Sequence, residues 1–137
     1  MTTKALLARG VGASPGRATG AIVFRSEDAI GFGAPVILVR IETTADDVPG
    51  MKVAVGIITT RGGLTGDAAI VARSLGKPCI SGCAPMRVDY ETSSLTIWKD
   101  SSDGTDAHDI VLKKGDIITI DGSTGELWSA ESCAEDG

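Results

Sequence analysis

The sequence predicts an α+β fold, strand-rich, with one main short helix. Two observations carry this. Short runs rich in Val and Ile recur between turn signals, and a single stretch, entered through a glycine-rich loop, has the 3.6-residue apolar period of a helix. A third bounds the size: 137 residues at 42% hydrophobic content make one domain, residues 1–137, with a sizeable core.

In chain order, "GAIVF" (Gly20 to Phe24), "VILVRI" (Val36 to Ile41), "VGIITT" (Val55 to Thr60) and "CISG" (Cys79 to Gly82) read as strands. Their uninterrupted apolar character predicts cover on both faces. Between the last two, Ala68, Val71, Ala72 and Leu75 follow the i, i+3, i+4, i+7 spacing of a helix with one buried side. Gly76 supplies a left-handed stop, Lys77 suits the negative end of the helix dipole, and Pro78 forbids continuation. From Met86 onward "MRVDYETSSLTIW" predicts a hairpin turning near Thr92 to Ser94, and "GDIITIDGSTGELW" a second one turning through Asp121 to Gly125. The polar stretch "KDSSDGTDAHD" between them reads as a loop that leaves His108, the only histidine, exposed and without an orienting partner.

Composition excludes several function classes. Net charge is −5, and the 13 Lys and Arg stand singly apart from the pair Lys113 and Lys114, so there is no basic stripe for nucleic acid. No apolar run approaches the ~20 residues that span a membrane, nor does the N-terminal stretch read as a signal peptide, so a cytoplasmic location is expected. Cys79, Cys83 and Cys133 are an odd, sparse set that fits a reducing compartment. For the C-x3-C pair in "CISGC" a tetrahedral zinc site needs two more Cys or His ligands, and only Cys133 and His108 remain in the sequence to supply them, so no metal site is expected. Nucleotide motifs are absent too: no G-x-x-x-x-G-K-[ST] occurs, and in "GVGASPG" Pro15 falls where G-x-G-x-x-G needs its third glycine.

The informative segment is "TTRGGLTGDAAIVARSLGKPCISG", residues 59–82. Gly62, Gly63 and Gly66 let backbone approach a ligand closely, and the orphan N–H groups of the first helical turn form an anion site with Arg61 beside it. Thr65 and Asp67 have two readings on local pattern, as caps of the helix start or as functional groups.

The same segment resembles the phosphohistidine segment of the pyruvate phosphate dikinases and of the wider PEP-utilising enzymes. "GVGASPGRATGAIVF", "VILVRIETTADDVPGMKVAVGIITTRGG", "MRVDYETSSLTI" and "KKGDIITIDGSTGEL" extend the resemblance over nearly the whole chain. It implies a swivelling β/β/α domain, which in the full dikinase carries a phosphoryl group between a nucleotide-binding domain and a PEP-binding barrel; such domains or subunits in trans are the expected partners. It implies no cofactor in this stretch, with magnesium held by the partner domains. In that family the loop reads threonine, serine, histidine before "AA". Thr65 therefore matches the threonine, which some plant dikinases phosphorylate as an off-switch. Gly66 replaces the serine, and Asp67 replaces the phosphoryl-accepting histidine.

Aspartate brings a negative charge to the phosphorus where a neutral imidazole brings none, and it is shorter. Arg61 and Arg73 are the candidate offsetting cations. The expectation is a non-catalytic binding or regulatory module. The alternative is a carrier component of a split phosphotransferase that uses Asp67 or joins a site completed by partner subunits. A fragment or engineered His-to-Asp variant is a third reading, against which the simultaneous Gly66 change counts.

Overall fold

The computed structural model describes residues 6–43, 45–61, 67–82, 86–98 and 109–129. Among these, eleven strands form two sheets. The small sheet is antiparallel, ordered β7 (Met86–Asp89), β8 (Ser94–Trp98), β9 (Asp109–Lys113). The large sheet is built on β3 (Arg17–Val23), β4 (Val36–Arg40), β5 (Gly56–Thr59) and β6 (Cys79–Ser81), parallel and adjacent in that order. Antiparallel strands extend it on both sides. β10 (Ile117–Asp121), β11 (Glu126–Ser129) and β1 (Leu6–Arg9) follow outward from β3, and β2 (Val11–Ser14) pairs with β6.

Each parallel crossover carries a helix: α1 (Ser26–Gly31), α2 (Val48–Val53) behind a 3-10 turn at Ala45–Asp47, and α3 (Asp67–Leu75). Parallel neighbours require such crossovers, so the helices follow from the strand order. Alternation along the strands sorts side chains into two cores. Ile22, Ile37, Val39, Ile58 and Ile80 meet Met86, Val88, Leu95 and Ile97 of the small sheet, together with Ile118, Ile120 and Leu127. Val23, Val36, Leu38, Ile57 and Cys79 meet the helices through Ala29, Met51, Ala68, Ala69 and Ala72. The expected cover on both faces is thus one sheet on one side and three helices on the other: small sheet, large sheet, helices.

Four expected strands and one helix are present within a few residues of their predicted bounds. β1, β2, β9, α1 and α2 were not foreseen. The helices have six residues each, too short for a period to show, and β9 follows directly on the polar stretch read as loop. The first hairpin turns earlier than expected, at residues 90–93, because Asp89 Oδ1 accepts from the amides of Glu91 and Thr92 at 3.0 and 3.3 Å and so starts the turn itself. Gly76 ends α3 at φ 71°, with the Lys77 amide on the Ala72 carbonyl at 2.9 Å. The Lys77 ammonium does not serve its own helix. It donates to the carbonyls of Lys52 and Ala54, at 2.7 and 2.5 Å, and so caps the end of α2. The buried stripe of α3 is centred on Ala68, Ala69 and Ala72, with Val71 and Leu75 only partly buried at its margin, since alanines let the helix approach the sheet most closely.

β1 and β2 lie at opposite ends of the sheet order, yet Gly10 alone separates them in sequence. The sheet therefore curls until both edges are covered by one continuous stretch of chain. At the junction the Gly10 amide donates to the Gly125 carbonyl and the Gly122 amide to the Gly16 carbonyl, both at 2.8 Å. A Cβ on Gly122 would run into the Ser14 carbonyl oxygen and reach 2.9 Å from the Cys79 nitrogen. Gly122→Ala is expected to lose about 2–3 kcal/mol or more, since backbone must move on both sides. Gly31→Ala, at the end of α1 with nothing within 4 Å, is expected to be neutral or to gain up to ~1 kcal/mol. Urea unfolding midpoints of the two variants check the contrast.

Asp121 opens the β10–β11 turn as expected, its Oδ1 accepting from the Ser123 and Thr124 amides at 2.8 and 3.3 Å and its Oδ2 from Arg17 Nε at 3.2 Å. The Ser123 amide bond first, with Arg17 and the Thr124 amide, holds this carboxyl below its ordinary range. Because the folded value lies below the unfolded one, the contribution is complete above roughly pH 4 and fades as pH falls through the folded value. Stability measured from pH 6 downward should show this loss in the parent, and Asp121→Asn should lack that component of the slope.

Candidate functional site

The loop that resembles the phosphohistidine segment leaves the carboxyl end of β5, the edge of a parallel sheet where ligands are usually met. Gly62, Gly63, Thr65 and Gly66 lie outside the described residues, as do His108, Cys83 and Cys133. On its entry side Arg61 is pinned by its backbone: its amide donates to the Ile41 carbonyl at 3.1 Å, and its carbonyl accepts from the Thr59 hydroxyl at 2.8 Å. The Thr60 amide donates to the Arg40 carbonyl at 3.2 Å, so pairing between the β4 and β5 chains continues past the ladder. The Arg61 guanidinium stays in solvent, 3.8 Å from Glu42, with 71% and 62% of the two side chains exposed. Such a pair contributes little and yields readily to another anion.

On the exit side α3 begins at Asp67. Its anchoring explains why the helix starts there: Ala68 and Ala69 are buried against the sheet at once, so the first turn is held by packing. Arg73 lies six residues on, roughly 9 Å along the axis from the helix start. It donates to the Ala13 carbonyl of β2 at 2.8 Å, tying α3 to the edge strand. The structure thus places Arg61 beside the loop and Arg73 toward the far end of the helix, in a structural post. The Cys79 thiol is buried beneath the same helix. Desolvation pushes it up against the opposing pull of the Ser81 hydroxyl, 3.6 Å away, and of Arg73, so it is poorly nucleophilic.

Behind the loop stands a group of residues that no local pattern announces. Arg40, ending β4, points Nε at Asp47 Oδ2 at 3.5 Å, donates from Nη1 to the Phe24 carbonyl at 2.8 Å, and stacks 4.5 Å from the Tyr90 ring centroid. Tyr90 Oη accepts from the Ile41 amide at 2.7 Å, and Arg25 donates to the Tyr90 carbonyl at 3.3 Å. The ends of β3 and β4, the 3-10 turn and the β7–β8 turn are fastened together here, which fixes the rim from which the loop departs. The only sequence signal was a charge closing each apolar run, Arg25 and Arg40. Among the described residues no three His, Cys, Asp or Glu side chains converge as a metal site, and no helix is long and apolar enough to cross a membrane.

A family model for the mobile domain of PEP-utilising enzymes matches residues 32–125. A pyruvate, phosphate dikinase of Rhizobium meliloti (strain 1021) is 46% identical over 129 residues, covering 92% of this chain and 13% of the relative. A chloroplastic pyruvate, phosphate dikinase of Flaveria pringlei is 47% identical over 125 residues, covering 89% and 12%. The chain thus spans about an eighth of the length of the curated relatives it matches. An NMR solution structure of Enzyme I overlaps 68% of this chain and 29% of its own at a TM-score of 0.41 and 24% identity, a likeness too loose to argue from.

The rim makes its own prediction. Tyr90→Phe keeps the ring under Arg40 but removes the acceptor of the Ile41 amide, and is expected to lose about 1–2 kcal/mol with faster hydrogen exchange at Ile41. Tyr90→Ala, which also removes the ring, should lose more. Amide exchange and urea midpoints read both.

Proposed function

The chain belongs to the PEP-utilising enzyme mobile domain family, and from that premise we propose that it is a phosphotransfer-related module that has lost the carrier chemistry and acts as a binding or regulatory domain. The observation that carries the reading is Asp67 as the first residue of α3, directly after the loop that in the family's pattern presents the phosphohistidine. A neutral imidazole attacks phosphorus without added charge and stays nucleophilic near neutral pH, whereas a carboxylate needs cations to offset the charge on the group in transfer. Of the two candidate cations, Arg61 borders the loop and Arg73 is engaged with β2. The side chain is also shorter than histidine, in chemistry sensitive to misplacement of ~1 Å.

The module's partners are nucleotide-binding and PEP-binding domains or subunits. Its retained capacity is to hold a phosphate-type anion at the helix start, through Arg61, Gly62, Gly63, Thr65 and Gly66. Thr65, as the counterpart of a regulatory threonine, is where phosphorylation would act, and magnesium belongs to the partner domains. The competing reading, an acyl-phosphate carrier on Asp67, draws on the same Arg61.

The test is labelling from PEP with a PEP-binding domain supplied in trans. The unmodified protein is expected to take up no label, Asp67→His to recover some, and Asp67→His with Gly66→Ser to recover more. Acid-labile, hydroxylamine-sensitive label on the unmodified protein, abolished in Asp67→Asn, would establish the acyl-phosphate carrier and sink the preferred reading.

A further inference from the structure

A cleft of about 340 Å³, open to solvent, separates the exit of β5 from β7, the edge strand of the small sheet; Ile41, Thr60, Arg61, Met86, Arg87 and Val88 line it. Along β7, Met86 and Val88 point into the core while Arg87 between them is exposed on the outer face, yet all three border the cleft. A cleft that touches both faces of a strand runs along its edge. We propose that this edge takes an extended segment of a partner polypeptide, added to β7 as a further antiparallel strand, with an acidic side chain between two aliphatic ones.

The hydrogen-bond alternation shows that the edge is open. The Lys114 amide donates to the Ser93 carbonyl at 3.1 Å, which makes the Ser94 and Lys113 pair a non-hydrogen-bonded one. Leu95 and Ile97 therefore turn their main-chain groups to β9, and Ser94 and Thr96 turn theirs to β7, where Asp89 and Arg87 stand opposite. The N–H and C=O of Met86 and Val88 are left to face away from β8, toward the cleft, and among the described residues no hydrogen bond occupies them. The sheet's other edge is treated differently. β9 is stopped at Lys113, whose amide donates to Asp116 Oδ2 at 2.8 Å and whose carbonyl accepts from the Asp116 amide at 2.9 Å.

The same alternation specifies the occupant. An antiparallel peptide exchanges both main-chain bonds with Met86 and both with Val88, the pattern of strand addition. Its residue between those two falls opposite Arg87 as a non-hydrogen-bonded pair, with Cβ atoms ~4.5–5.5 Å apart on the outer face. There the neighbour of Arg87 across β8 is the uncharged Thr96, and among the described residues no carboxylate engages the guanidinium. A Glu or Asp in the added strand completes that row. The two flanking side chains point inward beside Met86 and Val88, toward Ile41, which packs against the same core, so aliphatic groups fit there. A second copy entering by its own β7, centred on this position, would set arginine against arginine. The charge thus selects a different, acidic partner.

The test is an NMR titration of the whole chain with the synthetic peptide acetyl-Gly-Ser-Val-Glu-Val-Ser-Gly-amide, and with the same peptide carrying Lys for Glu. Saturable shifts and slowed hydrogen exchange are expected at the Met86 and Val88 amides. The Lys peptide should bind roughly three- to tenfold more weakly, the scale of a reversed cross-strand charge. Arg87→Glu should invert this preference, and Arg87→Gln should bind both peptides alike. Unchanged slow exchange at the Leu95 and Ile97 amides, bonded to β9, reports that the variants keep the fold. No saturable shift, shifts centred on Val111 of β9 instead of β7, equal affinity of the two peptides for the parent, or an Arg87→Glu protein that still prefers the Glu peptide would each overturn the proposal. The peptide reads the β7 edge and the labelling of the residue 67 variants reads the functional proposal, so either can fail without the other.

Discussion

The rest of the structure depends on one covalent constraint: two strands that end the large sheet on opposite sides are joined through a single glycine. Consecutive Cα atoms are about 3.8 Å apart, so the end of β1 and the start of β2 cannot separate by more than roughly twice that. A flat eight-stranded sheet is therefore impossible, and the sheet must close toward itself. Closure gives it a concave side, sealed by the three-stranded sheet, and a convex side, wrapped by helices. The strands that end the large sheet, β1 and β2, have four residues each, short templates for pairing with other chains. The close passage of residues 10–16 over the 122–125 turn is the seam of this closure, and the absent side chains at Gly12, Gly122 and Gly125 are what make it passable.

Closure also determines where chemistry can occur. All four parallel strands point their carboxyl ends to one rim, and each crossover leaves from it. The rim is stiff in one part and open in another. The stiff part is the partly buried Arg40, whose charge is balanced by Asp47, a backbone carbonyl and the face of Tyr90, so that its desolvation is offset by several contacts at once. The open part is Arg61. Its backbone is hydrogen-bonded at both ends of the residue, while its guanidinium stands in water. A cation with an anchored backbone and an exposed tip is placed to meet an anion from solvent.

How much of this was legible in the sequence follows from the range of each interaction. Strands β3 to β6, helix α3 and the two hairpins are local patterns of apolar period and turn residues, and they were readable to within a few residues. α3 was readable down to its stop at Gly76. The six-residue α1 and α2 were not, since fewer than two turns of a mixed sequence show no period. Closure was hidden because it depends on β1 and β2 having different partners, and nothing in "LLARGVGAS" says so. At the rim, Arg61 announced itself by adjacency to the glycines. Arg40, Asp47 and Tyr90 did not, because their meaning arises from tertiary contacts that no local pattern displays. Lys77 shows the same limit. A basic residue after a helix reads as a partner for that helix, and only packing reveals that its ammonium reaches the neighbouring one.

The position on which the proposed function turns is one where the fold is nearly indifferent. At the first residue of a helix a negative charge complements the positive end of the dipole, an effect of about 0.3–1 kcal/mol, and aspartate is among the best residues for starting one. A histidine there gains nothing comparable and, when protonated, opposes the dipole. On the proposed reading, an exchange of histidine for aspartate at the start of α3 would ask nothing of the core, the closure or the rim, all of which are built from other residues. Selection for stability would accept the change and only selection for phosphoryl transfer would resist it. Family membership accordingly carries the architecture to this chain, while on the proposed reading the carrier role hangs on a single side chain that the architecture does not need.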